Sequence, residues 1–227
     1  MPLLTTFGAA SVYGYAGSSR TDPYLVTTAY SNAALAAPPT ITIPSEAAVG
    51  DIAVLYDSTI NSASPAPTSV VPSGWTSVND SAGSFVRVIA SYKLLVSGDP
   101  GSTITGMAGT NFQGKSLLIF RKSVVATTVS AFSAAGQVTS GDPTPQVVTS
   151  SGGVVPIIVV ATYCVGAFSG VLTTPTFTPT ATGLFTPVNR VQVAYRVFET
   201  SPLDVTANLG DTNVGDNALQ SFYLQIS

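Results

Sequence analysis

The sequence has no histidine, one cysteine, one tryptophan and little charge: of 227 residues, Lys+Arg account for 8 and Asp+Glu for 11, so charged side chains are 8 % of the chain. Soluble domains ordinarily carry roughly a quarter. Each absence excludes a class of function. Capture of nucleic acid needs a basic patch that neutralises several phosphates, and a chain in which anions outnumber cations does not supply one. Without histidine the chain lacks the commonest general base, the usual activator of serine and cysteine nucleophiles, and the commonest metal ligand. The lone Cys164 can form neither an intrachain disulfide nor a thiolate-rich zinc site. No enzymatic activity, no metal and no other cofactor is expected.

Long hydrophobic runs are also missing, although the mean hydropathy is +0.40. The densest apolar stretch, Val154 to Ala167, is interrupted by Pro156, Tyr163 and Cys164 and is shorter than the roughly 20 residues a membrane helix needs. The opening residues, Met1 to Phe7, lack the basic segment of a secretory signal. A soluble, unexported protein with no membrane partner is expected.

What the chain does have is Val, Ile, Phe and Tyr among the apolar residues and Ser and Thr among the polar ones, punctuated by 20 Gly and 16 Pro. This is the composition of an all-β protein. Alternation with a period of two is clearest over residues 84–95, where Arg87, Ile89, Ser91 and Lys93 share one face and Val86, Val88, Ala90, Tyr92 and Leu94 the other. One of those faces is expected in a core. Strands are further expected near 24–30, 39–43, 51–57, 75–78, 102–106, 115–121, 127–133, 145–149, 154–162, 190–199, 203–207 and 219–226. No window shows a sustained helical period.

Four segments recur in the same order. Arg87 to Leu95 matches Arg190 to Phe198 at an offset of 103, and Gly50 to Leu55 matches Gly153 to Ile158 at the same offset. Thr103 to Thr105 matches Asp204 to Thr206 at 101, and Lys115 to Ile119 matches Gln220 to Leu224 at 105. The reading is two tandem, duplicated antiparallel β-sandwich domains, Ig-like or jelly-roll-like, over residues 23–122 and 123–227. Residues 1–22 lie outside the repeat. They read as a docking arm in which Phe7, Tyr13 and Tyr15 alternate with residues small enough to let a backbone lie flat on another protein.

The segments Val49 to Leu55, Val71 to Thr76, Ala90 to Lys93 and Ser116 to Arg121 together resemble β-sandwich modules of tailed-bacteriophage virion proteins, which include tail-fibre and head-decoration proteins. The segment Phe7 to Ser11 is similar to short amino-terminal segments that open many phage tail and fibre proteins. The second half departs from the pattern, with Pro175-Thr176-Phe177-Thr178 standing where the first has Pro72-Ser73-Gly74-Trp75-Thr76. The resemblance implies a structural part of a virus particle, whose partners are other virion proteins and further copies of the chain.

Individual residues offer competing readings. Trp75 is either an aromatic platform for a sugar ring, which would suit a carbohydrate-binding or host-recognition module with a surface glycan as partner, or a large ring closing one end of a sandwich. The loop 210–217 collects oxygen ligands suited to a hard cation, yet it lacks the bidentate glutamate, and its counterpart 108–114 has no carboxylate; it reads as a solvated hairpin turn. Cys164 reads as buried and inert. Lys93, Lys115 and Lys122 are the only candidate bases for a serine nucleophile, and the counterpart of Lys93 is Arg196, a group that never deprotonates. Arg87 and Arg190 read as cross-strand pairing residues. Residues 143–189 carry no charged side chain at all. They are read either as a subunit interface, with Val171, Leu172 and Phe177 as its contact residues, or as a strand central to the sandwich followed by a hydroxyl-rich loop.

Overall fold

The computed structural model describes residues 23–33, 39–110, 112–122, 128–139, 146–148, 157–165, 176–178, 183–188, 191–198, 205–208 and 217–226. These form strands β1 (Tyr24–Ala33), β2 (Thr40–Thr42), β3 (Ile52–Ile60), β4 (Thr76–Ala82), β5 (Val86–Leu94), β6 (Thr103–Thr105), β7 (Phe112–Arg121), β8 (Val129–Thr139), β9 (Gln146–Val148), β10 (Ile157–Val165), β11 (Thr176–Thr178), β12 (Gly183–Val188), β13 (Val191–Phe198), β14 (Val205–Asn208) and β15 (Asn217–Ile226). The described residues are all-β, with no helix, and so none that is long and apolar enough to cross a membrane.

Alternating apolar residues at the centre of the chain's first half build a five-stranded antiparallel sheet, ordered β1-β7-β3-β5-β4. The central strand β3 is buried along its whole length, which is why it reads as an apolar run and not as a strict alternation. Its period of two nonetheless sorts the residues into two cores. Ile52, Val54, Tyr56 and Ile60 join Val86, Val88 and Ala90 of β5 and Leu118 and Phe120 of β7 in one cluster, which Val193, Val197 and Leu224 complete from β13 and β15. The rings of Phe120 and Tyr195 meet edge to face across this core, with centroids 5.3 Å apart and planes at 75°. Burying each such side chain contributes about 1.5–3 kcal/mol, so this apolar face helps to hold the two parts of the chain together.

Ala53 and Leu55 point the other way. With Leu117 and Ile119 they pack against Ile41 and Ile104 of the short β2-β6 pair and against Ile43, Ala47 and Leu95. The expectation that β5 has a single core face is therefore corrected. Its second face is covered too, with Ile89 and Ser91 both buried. The register pairs Lys93 with Ala53 and Ser91 with Leu55, so this face lies on the side of the sheet that the β2-β6 layer covers.

A second five-stranded antiparallel sheet is ordered β12-β13-β10-β15-β8, and a three-stranded one β11-β14-β9. Strand β10, which carries Tyr163 and Cys164, is the central strand of its sheet and pairs with β13 and β15.

Candidate functional site

The first sheet segregates its charge. Arg87 and Lys93 of β5 and Lys115 and Arg121 of β7 all occupy positions on the face turned away from the second sheet, and each meets one acid. The pairs are Arg87 with Asp80 at 3.0 Å, Lys93 with Asp99 at 2.6 Å, Lys115 with Asp57 at 2.8 Å and Arg121 with Asp51 at 2.7 Å. Arg87 also donates to the Pro67 carbonyl. The recurring arginine at 87 thus takes the cross-strand role its pattern suggested, facing an acid on the neighbouring strand β4.

Two of the acids use one local device. In the turn Ala48-Val49-Gly50-Asp51 the Asp51 N–H donates to the Ala48 carbonyl at 3.1 Å, and the Ala48 N–H donates to Asp51 Oδ2 at 2.8 Å. In Val96-Ser97-Gly98-Asp99 the Asp99 N–H donates to the Val96 carbonyl at 3.1 Å and the Val96 N–H to Asp99 Oδ2 at 2.7 Å. Gly98 supplies the positive φ of 90° that the third position of such a turn requires. In both turns the carboxylate closes the turn through Oδ2 and also holds a cation: Lys93 donates to Asp99 Oδ1, whereas Arg121 spans both oxygens of Asp51, with Nε on Oδ1 and an Nη on Oδ2.

The Lys93-Asp99 pair lies in a cleft. A third turn, Pro72-Ser73-Gly74-Trp75, is closed by the Trp75 N–H donating to the Pro72 carbonyl at 3.1 Å, with Gly74 at φ 78°. A Cβ at Gly74 would stand 3.5 Å from Lys93 Nζ, an ordinary contact, so the glycine is required by the turn's positive φ and not by lack of space. The turn sets Trp75 half-buried at the margin of the core beneath β2-β6. Between it and β6 is a cavity of about 280 Å³, lined by Ile43, Pro72, Ser73, Trp75, Lys93, Asp99, Ser102, Thr103, Ile104 and Thr105. β6 pairs with β2 along one edge; among the described residues no strand pairs with its other edge.

The Asp57-Lys115 pair differs in kind. Its partners sit opposite each other on β3 and β7, with side chains 2 % and 0 % exposed. Asp57 Oδ2 accepts the Met107 N–H at 2.7 Å, and Gly106 is required for lack of space, since a Cβ there would stand 1.9 Å from that oxygen. Burial pushes the Asp57 carboxyl above its ordinary value of 3.8, against the opposing pull of Lys115 and of the Met107 N–H. The arrangement is a sealed structural crosslink with no route to solvent.

Among the candidate residues read from the sequence, Trp75 is placed in the cleft. Phe177 is on β11, in register with Ala207 of β14. Phe7, Tyr13, Tyr15, Val171 and Leu172 lie outside the described residues, as do residues 210–216 of the loop 210–217. The charge-free stretch is divided: β10 is central in its sheet, whereas β11 and β12 are edge strands. Sequence reasoning missed the joining of Trp75 with Lys93 and Asp99. The available signal was the turn Val96-Ser97-Gly98-Asp99 directly after a strand whose outward face ends in Lys93. Among the described residues no group of three or more His, Cys, Asp or Glu could hold a metal ion. No protein-family model, no curated protein and no solved structure matches the chain.

Proposed function

We propose that the protein is a non-enzymatic structural component of a bacteriophage virion, a tail, fibre or capsid-decoration protein that associates with copies of itself and with other virion proteins. The observation that carries this reading is β11. Edge strands ordinarily carry charge, proline or a bulge that discourages pairing with another chain. β4 holds Asp80 and a register shift between Ser77 and Asn79, and β12 holds Pro187 and a shift between Phe185 and Val188. β11, three residues long between Pro175 and Pro179, has neither a charged residue nor a register shift and belongs to the charge-free stretch 143–189. Among the described residues its outer edge has no partner strand, which suits strand addition between subunits, where modest contacts are multiplied by avidity over many copies. The segments that resemble phage modules support the reading from another side, because they fall on the adjacent strands β7, β3 and β5 and on the Trp75 turn. The test is removal of residues 1–22. The shortened chain is expected to fold with an unchanged circular dichroism spectrum and to be absent from purified particles; normal incorporation overturns the docking role.

The finer architecture belongs to the same proposal: residues 23–122 and 123–227 are tandem copies of one sandwich. Reversed, the order of the second sheet is β8-β15-β10-β13-β12, strand for strand that of the first, and β9 and β14 stand where β2 and β6 do. At the offset of 103, Ala90, Tyr92 and Leu94 map to Val193, Tyr195 and Val197, and all six contribute to the same core cluster. The register refines the other offsets. Lys93 pairs with Ala53 and Arg196 with Val159, which moves the equivalence of β3 and β10 from 103 to 106. Leu224 shares its core with Leu118 and Phe120 and not with Ile119, so the offset there is even and not 105.

A further inference from the structure

We propose that the cleft between the Trp75 turn and β6 binds one neutral sugar ring, an activity separate from assembly and independent of the virion reading. The half-buried indole of Trp75 offers an apolar wall against which the C–H face of a pyranose can pack. Beside it, Lys93 and Asp99 bond each other at 2.6 Å and still have two ammonium protons and free carboxylate lone pairs between them. Adjacent ring hydroxyls both donate and accept, so a vicinal diol satisfies the two partners together. An anionic ligand would meet the Asp99 carboxylate, and a cationic one the Lys93 ammonium. Two hydroxyl-bearing residues, Ser73 of the turn and Thr103 of β6, also line the cleft.

Size limits the occupant. Pockets that enclose drug-sized ligands run from roughly 300 to 1,000 Å³, and about 280 Å³ admits a single ring, such as a monosaccharide or the terminal residue of a chain. The short-stranded sheets supply an independent argument. Among the described residues β14 is paired on both edges, by β11 and by β9, whereas β6 is paired on one, by β2. Where the second part of the chain has a paired strand, the described residues of the first have a cleft lined by an aromatic residue, an ion pair and hydroxyl-bearing residues. Binding of one ring through so few groups is weak, in the roughly millimolar range, and becomes useful when many copies act together.

Trp75 is the only tryptophan beside 9 tyrosines, so fluorescence of the full chain excited selectively at tryptophan reports on this site alone. The probes are the methyl glycosides of glucose, galactose, mannose and N-acetylglucosamine, with methyl glucuronide as the anionic comparison. A saturable change with at least one neutral glycoside is expected. Thr103→Tyr, which fills the cleft from an exposed edge position, is expected to weaken that binding by about tenfold or more at an unchanged melting temperature. Ser73→Arg, entering from the turn, gives the same reading if Thr103→Tyr fails to fold. No saturable response to any neutral glycoside, equal affinity in the cleft-filling variant, or tighter binding of the glucuronide overturns the proposal.

Discussion

Replacing Lys115 by methionine removes one member of the most deeply buried ion pair described and leaves Asp57, only 2 % exposed, without its counter-ion at 2.8 Å. Breaking a buried pair in this way costs about 3–5 kcal/mol, because the remaining charge has neither water nor partner. For a chain of this length each kcal/mol moves the melting temperature by about 2–4 °C, so Lys115→Met should melt roughly 6–20 °C lower. The double variant Asp57→Asn, Lys115→Met tests the cause. The asparagine oxygen still accepts the Met107 N–H, now donated to Asp57 at 2.7 Å, and no buried charge remains, so most of the loss should be recovered. The paired measurement is thermal and urea unfolding of wild type, both single variants and the double. A Lys115→Met cost below about 1 kcal/mol, or a double variant as unstable as the summed singles, refutes the assignment of the penalty to an uncompensated charge.

Acidity should affect the same site. The folded Asp57 carboxyl titrates above 3.8, so its contribution to stability is complete below that value and is lost as the pH rises through the folded value; on acidification from neutrality wild type should gain stability relative to Asp57→Asn, and a gain of opposite sign counts against the burial argument. Gly106→Ala forces a Cβ to within 1.9 Å of Asp57 Oδ2 and should cost about 1–3 kcal/mol or more by overpacking, read by urea unfolding. Residues 23–122 expressed alone leave bare the face completed by Val193, Val197 and Leu224 and should self-associate in gel filtration; a stable monomer shows that this face does not need cover. Thr178→Lys, which charges the outer edge of β11, should leave the melting temperature of the free chain within about 0.5 kcal/mol equivalent while reducing incorporation into particles, measured by quantitative mass spectrometry.

The strand content was legible because alternation survives wherever two faces differ. Residues 84–95 carry Val86, Val88 and Ala90 on the side that meets the second sheet and Arg87 and Lys93 on the side that carries the ion pairs. It was less legible where both faces are apolar. β3 is buried throughout, and the run Val154 to Val160 has no polar phase marker, so an apolar segment can be slid by three residues without changing its appearance. That is why the matching of β3 with β10 needed the register to correct it. The site was hidden for another reason. Trp75, Lys93 and Asp99 come from a turn, a strand end and a second turn, and only the hydrogen-bonded geometry of the turns brings them to one cleft. Asp57 and Lys115, separated by 58 positions, carry no mutual signal in the sequence.

The face that β13 and β15 cover has a consequence in time. Synthesis proceeds at about 5–20 residues per second, and about a hundred residues separate Phe120 from Leu224 in the same core cluster. The first sheet can therefore pair all its strands while its apolar side is still uncovered for roughly 5–20 seconds on the ribosome. During that interval Ile52, Val54, Val88 and Phe120 face whatever else is near, and neighbouring nascent chains present the same surface. Yield of the folded protein should thus be governed less by its final stability than by translation speed and by whether a chaperone occupies that side of the sheet until the last strand arrives.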